Sequence, residues 1–242
     1  MTVSIEEILL YPTKTFLFSS QPKLRSEECT IKWGDFQMTL LEEDYFFASQ
    51  ILTDLIEGNE LSVELHIAKA YISLCDSEIT DLSKGYVSAA CALGEVIERK
   101  QDRTTFGEVC YLLGTSFILR PDLRNDCKVP AYIRAIDPIR LLIESTKICQ
   151  LDETTRPTAP ERYMAIGYAL MEKGMIAKAK YSFEEAVGAL IELERTNERE
   201  IEEIGPTLIA ISCDASKYLG DALLFERVLH QRRGQNRRYG VS

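Results

Sequence analysis

Side chains that could do acid–base or nucleophilic chemistry are few and scattered in this sequence. His66 lies in the apolar stretch SVELHIAKAYISLC, and His230 lies near the C-terminus. The paired glutamates at 184–185 and 202–203 are adjacent on predicted helices, so their side chains point in different directions and form no acid/base pair. No G-x-S-x-G or H-E-x-x-H motif occurs, and no glycine-rich phosphate loop follows a strand. The sequence therefore predicts a protein that is not an enzyme and has no cofactor or small-molecule substrate.

The cysteines favour reduced thiols rather than a metal site or a disulfide framework. No C-x-x-C pair occurs, and no histidine stands at zinc-ligand spacing. Residues 1–14 lack the basic segment of a signal peptide, and no apolar run reaches about 18 residues. We therefore expect a cytoplasmic or nuclear protein that does not enter a membrane. The seven cysteines are Cys29, Cys75, Cys91, Cys110, Cys127, Cys149 and Cys213.

Charge is distributed unevenly along the chain. The net charge is -10, yet the segment QRRGQNRRYGVS at 231–242 contains no acid. An acidic body argues against a nucleic-acid-binding core, because phosphate contacts need clustered Lys and Arg. The basic tail, predicted to be flexible, could instead bind RNA or DNA, an acidic protein or an import receptor. Its four cations are Arg232, Arg233, Arg237 and Arg238.

Helical periodicity dominates from residue 42 to about residue 230, which predicts an all-α body. Residues 11–41 differ, because TKTFLF and CTIKWGDFQM are short β-rich runs around a polar segment. We expect residues 1–41 to form an extended or hairpin arm that packs on the helices. Trp33 is the only tryptophan and is interpreted as the anchor of this arm.

The stretch ERYMAIGYALMEKGMIAKAKYSFEEAV at 161–187 places glycine in the middle of an apolar helical face. A small residue there lets the backbone of a second helix approach closely. The stretch resembles a tetratricopeptide repeat, and a weaker form of the pattern recurs around Gly114 and Ala68 at wider spacing than the family's period of about 34 residues. The resemblance implies an irregular α-solenoid of stacked antiparallel hairpins over residues 42–230; a plain helical bundle is the rival. Its matching positions are Tyr163, Ile166, Gly167, Leu170, Gly174, Ala179, Phe183 and Ala186.

The resemblance also implies a concave surface, lined by the first helix of each hairpin, that holds a peptide or helix of another protein. The chain would then be an adaptor or scaffold subunit. The alternatives are an assembly factor that binds RNA or DNA through its arginine tail and, third, an acidic histone chaperone. In a stack this short the same side chains could instead pack against the N-terminal arm or the last helix. The expected partner-binding residues are Leu65, Lys69, Ile72, Tyr111, Thr115, Ile118, Met164, Tyr168 and Met171.

Overall fold

A computed structural model describes residues 4–57, 59, 62–75, 103–121, 131, 135–151, 160–196 and 217–220. Within these residues the chain is helical and contains no strand, which confirms the all-α prediction. The basic tail at 231–242 lies outside them. The helices are α1 (Ile5–Ser19), α2 (Glu27–Leu41), α3 (Tyr45–Ile56), α4 (Val63–Cys75), α5 (Arg103–Leu119), α6 (Pro138–Leu151), α7 (Pro160–Glu172) and α8 (Ile176–Thr196).

The prediction of an extended or hairpin arm between residues 11 and 41 is wrong, because these residues form most of α1 and all of α2. Helix α1 begins with a capping box: the Ser4 hydroxyl accepts from the Glu7 amide, and the Glu7 carboxylate accepts from the Ser4 amide. Ser26 caps α2 in the same manner by accepting from the amide of Cys29. Burial of one apolar face of each helix overrides the β-propensity of the aromatic and β-branched residues.

Trp33 anchors this N-terminal region, as the sequence predicted, although it does so from a helix. Its ring is buried and stacks on Phe36 at a centroid distance of 4.9 Å. Its indole nitrogen donates to the carbonyl oxygen of Ser20 at 3.2 Å. One turn further along α2, the side-chain amide of Gln37 donates to the carbonyl oxygen of Leu17 at 2.8 Å. These bonds fix α2 to the end of α1.

Helices α2 and α3, and likewise α7 and α8, form antiparallel hairpins joined by the same three-residue turn. Gly174 has φ 68° and Glu43 has φ 58°, so each adopts the left-handed conformation at the same point of its turn. In both turns the residue after the left-handed one donates its backbone amide to the carbonyl of the residue five positions earlier, which is the Schellman arrangement. These bonds join Met175 to Leu170 at 2.9 Å and Asp44 to Thr39 at 3.2 Å.

The core divides into two apolar clusters, and α1 contributes to both. The first cluster contains Leu10 and Leu17 together with residues of α2, α3, α4 and α5. The second contains Ile8 and Leu9 together with residues of α5, α6, α7 and α8. Helix α1 contacts α4, α5 and α7 directly. It therefore lies where the two clusters meet.

Candidate partner-binding groove

Helix α1 lies against the three helices that carry the predicted binding residues. Helix α5 contacts both α4 and α7, and α1 packs against all three. We name this surface of α4, α5 and α7 the α1 groove. The predicted binding residues belong to these helices, because each of the three was predicted to be the first helix of a repeat.

Glycines behind the groove let a second helix pack closely on α5 and on α7. A Cβ atom added to Gly114 of α5 would lie 2.8 Å from Cγ of Leu142 on α6. One added to Gly167 of α7 would lie 2.4 Å from Cε1 of Phe183 on α8. Both distances are far below van der Waals contact, so only glycine fits at these positions. The prediction that Gly167 lies at a close contact between helices is confirmed.

The predicted binding residues do not form an open surface in this conformation. Tyr111 and Met164 lie in one apolar cluster with Ile8 and Leu9 of α1. Tyr168 lies in the same cluster and meets the rings of Phe183 and Tyr218, at centroid distances of 5.7 and 4.6 Å. A partner could therefore reach Tyr111 only if α1 moved, whereas the neighbours of Tyr168 are Phe183 of α8 and Tyr218. Leu65, Ile72, Tyr111, Thr115, Met164 and Tyr168 are buried, whereas Lys69, Ile118 and Met171 are half-buried.

A hydrogen bond at the floor of the groove ties α1 to α5. The hydroxyl of Tyr111, which is fully buried, donates to the carbonyl oxygen of Leu9 at 2.7 Å. Burial raises the pKa of this hydroxyl, so it remains a donor. A buried hydroxyl without an acceptor is unfavourable, so the Leu9 carbonyl helps to hold α1 against α5.

Beneath the groove, a buried polar network joins α5, α6 and α7. The guanidinium of Arg162 on α7 donates to the Glu108 carboxylate on α5 and to the Ser145 hydroxyl on α6. It also lies over the Tyr111 ring, 4.6 Å from the centroid. Arg162 is 4% exposed and Glu108 6% exposed. The network therefore positions the tyrosine that contacts α1.

The surroundings raise the pKa of both charged residues of this network, Glu108 and Arg162. Burial raises the pKa of Glu108, and the Arg162 guanidinium opposes that shift. Burial alone would lower the pKa of Arg162, but the Glu108 carboxylate and the neighbouring Cys149 and Tyr111 together raise that pKa, so the guanidinium stays charged. The sequence analysis missed this pair. The available signal was a charged residue within an apolar run, as in FGEVCYLLG and PERYMAIG.

The thiols of the described part of the chain differ in reactivity. Burial raises the pKa of Cys75 to about 11 and that of Cys110 to about 12, so both stay protonated at neutral pH. Hydrogen bonds with Ser26 and Asn59 lower the pKa of Cys29 at the start of α2. No group of His, Cys, Asp or Glu in the described residues could hold a metal ion.

Nucleic-acid binding by the basic tail stays a prediction, because its four cations lie outside the described residues. These cations are Arg232, Arg233, Arg237 and Arg238. None of the helices in the described ranges is long and apolar enough to cross a membrane.

Comparison of the chain with protein-family models, with curated proteins and with solved structures gave no match in any of the three.

Proposed function

We propose that this chain is a non-catalytic adaptor or scaffold subunit whose α1 groove binds an amphipathic helix of a partner protein in exchange for α1. The hairpins α5–α6 and α7–α8, with glycine at the close contact in each, are consistent with a stack of tetratricopeptide-like repeats. In such a stack the first helices line the binding face. The observation that carries the proposal is that an amphipathic helix already lies on this face.

The way α1 is held shows what a partner helix must offer. Ile8, Leu9, Leu10 and Leu17 are buried, while Glu6 and Glu7 of the first turn are exposed. The apolar side chains at 10 and 17 recur after two turns and so share one face of the helix. A partner helix therefore needs apolar residues at this spacing and a backbone carbonyl that can accept from Tyr111.

Pro12 in the middle of α1 supports the proposed exchange. Proline removes a backbone N–H and its ring clashes with the preceding turn, which destabilises a helix interior by about 3 kcal/mol. Short isolated helices are marginal in water, so most of the stability of α1 must come from its contacts with the groove. A partner helix that lacks proline therefore competes with α1, whose helix is destabilised by Pro12.

The proposal can be tested with a labelled synthetic peptide of residues 4–20, which reproduces α1. A cleavage site for a sequence-specific protease is placed after Lys23, in the loop between α1 and α2, so that the full chain folds before α1 is cut free. Fluorescence anisotropy then measures binding of the peptide to cut and uncut chains. A peptide with Leu9 and Leu17 changed to Asp is the control.

We expect the peptide to bind the cut chain and the Asp-containing control peptide not to bind. In the uncut chain, Leu17→Ala should increase the apparent affinity for the peptide at least about tenfold, because truncating a buried leucine removes about 2–5 kcal/mol that holds α1 in place. Pro12→Ala should decrease that affinity, because it strengthens α1 as the competing occupant. Far-UV circular dichroism checks that each variant remains helical.

Equal peptide binding by Leu17→Ala, Pro12→Ala and the unchanged sequence would contradict exchange at the groove. So would a cut chain that retains α1 and takes up no peptide.

A further inference from the structure

In the described part of the structure, the α2–α3 hairpin carries large apolar side chains that are exposed. Met38 is 58% exposed and Phe47 is 52% exposed. Single exposed apolar residues are ordinary, but a contiguous group of them is typical of an interaction surface. Three further exposed apolar residues of this hairpin are Ile31, Leu41 and Phe46.

The hairpin fold does not require these residues. The α7–α8 hairpin has the same turn, so its positions can be matched to those of α2–α3 through Gly174 and Glu43. At the places of Phe46 and Phe47 it has Ala177 and Lys178, which are also exposed. At the place of Leu41 it has Glu172, an exposed acid. The large apolar side chains of Leu41, Phe46 and Phe47 are therefore specific to this hairpin, whereas the place of Met38 is taken by the buried Ala169.

Between α2 and α3, Met38 and Phe47 border an open cleft of about 360 Å³. The lining residues of α2 recur every three or four positions over ten residues, so the cleft runs along the helix for about 15 Å. Met38, Phe47 and Ile51 supply its apolar surface. The polar lining consists of Lys32, Asp35, Thr39, Glu42 and Asp54.

The charge around the cleft is negative. Its lining holds three carboxylates and a single lysine. That lysine, Lys32, is paired with Asp54 at 3.6 Å and with Glu28 at 3.9 Å, so it adds little free positive charge. Beyond Glu42, the turn continues with two exposed acids, Glu43, which is paired with Lys14 at 3.4 Å, and Asp44. An apolar floor with an acidic rim complements an amphipathic segment that carries Lys or Arg beside its apolar face.

We infer that the α2–α3 cleft is a docking site for a basic amphipathic helix of another protein. The cleft shares no residue with the α1 groove, so the inference is independent of the proposed exchange of α1. A second copy of this chain fits the cleft poorly, because two acidic rims would repel each other.

A designed pair of labelled helical peptides tests the inference. Each has about 14 residues with leucine on one face, and the other face is lysine in one peptide and glutamate in its counterpart. Fluorescence anisotropy measures their affinity for the full chain, and for Phe47→Ser and Asp35→Lys. Tyr181→Ser is the matched control, because Tyr181 is an exposed aromatic residue, 62% accessible, on α8.

We expect the lysine peptide to bind, and each of Phe47→Ser and Asp35→Lys to weaken its binding about tenfold, since one aromatic anchor carries a large share of such an interface. Tyr181→Ser should leave the affinity unchanged. Binding should weaken between about 50 and 300 mM salt, and Phe47→Ser should leave exchange of the α1 peptide unchanged.

Three outcomes would overturn the inference. The glutamate peptide could bind as tightly as the lysine peptide. The Phe47→Ser variant could also bind the lysine peptide with the same affinity as the Tyr181→Ser variant. Sedimentation could also show that the chain self-associates through Phe47, which would assign the cleft to a second copy. Phe47 is exposed, so unchanged thermal unfolding of Phe47→Ser separates loss of binding from loss of fold.

Discussion

Replacing Arg162 by leucine should lower the free energy of unfolding by about 3–5 kcal/mol, as expected when one partner of a buried ion pair is removed. The Glu108 carboxylate would remain buried between α5, α6 and α7 without its counter-charge, and the Ser145 hydroxyl would lose its donor. The guanidinium would also leave the face of the Tyr111 ring, which contacts α1. Urea unfolding followed by circular dichroism measures the change.

The pH dependence of this variant has a definite sign. Burial already raises the pKa of Glu108 with Arg162 present, and without the guanidinium that rise is no longer opposed. A carboxyl group whose folded-state pKa is raised favours the folded state below its unfolded pKa, and that advantage is lost as pH rises through the folded pKa. The defect should therefore be larger at about pH 7 than at about pH 4.

A matched double variant separates the buried charge from loss of packing. Glu108→Leu combined with Arg162→Leu removes both charges, and apolar replacement of a buried pair is often neutral or stabilising by about 1–4 kcal/mol. The double variant should therefore be more stable than Arg162→Leu alone. A single variant that loses less than about 1 kcal/mol would show that the pair is not buried as described.

Gly167→Leu should lower the free energy of unfolding by more than about 2 kcal/mol, because overpacking a tight contact forces helices apart. Even the Cβ atom would lie 2.4 to 2.7 Å from three carbons of the Phe183 ring. That ring is fully buried between α7 and α8, so it has no solvent-filled space into which it can turn. The urea midpoint should fall clearly.

Gly188→Leu is the matched control for this substitution. Gly188 lies in α8, is exposed, and has no heavy atom within 4 Å of an added Cβ. Replacing an exposed glycine within a helix should stabilise the chain by about 0.5–1 kcal/mol. If both variants shift the urea midpoint equally, the close contact of α7 and α8 does not exist.

Local signals in the sequence predicted much of the helical body. Gly174, one of the matching repeat positions, adopts the left-handed conformation just after the end of α7. The N-terminal helices were missed for an identifiable reason. The β-rich composition of TKTFLF and CTIKWGDFQM outweighed the capping box that Ser4 and Glu7 form.

Local sequence patterns could not predict which residues surround the candidate site. Periodicity correctly placed Tyr111 and Met164 on helices beside one another, but not the helix that covers them. The bond from Tyr111 to Leu9 joins residues 102 positions apart, and the pair of Arg162 and Glu108 spans 54. Such contacts depend on the packing of several helices, which no single stretch encodes.

Hydrogen–deuterium exchange of the full chain tests most directly whether α1 can leave its groove while the rest of the fold persists. If α1 opens locally, its amides exchange faster than those of α5 and α7, because local opening needs less free energy than global unfolding. Leu17→Ala should then accelerate exchange in residues 5–19 more than in α5 and α7. The contrary result is equal protection of the amides of α1, α5 and α7 from exchange, changed equally by Leu17→Ala. It would show that α1 leaves only when the whole chain unfolds, and it would contradict the proposal that a partner helix can replace α1.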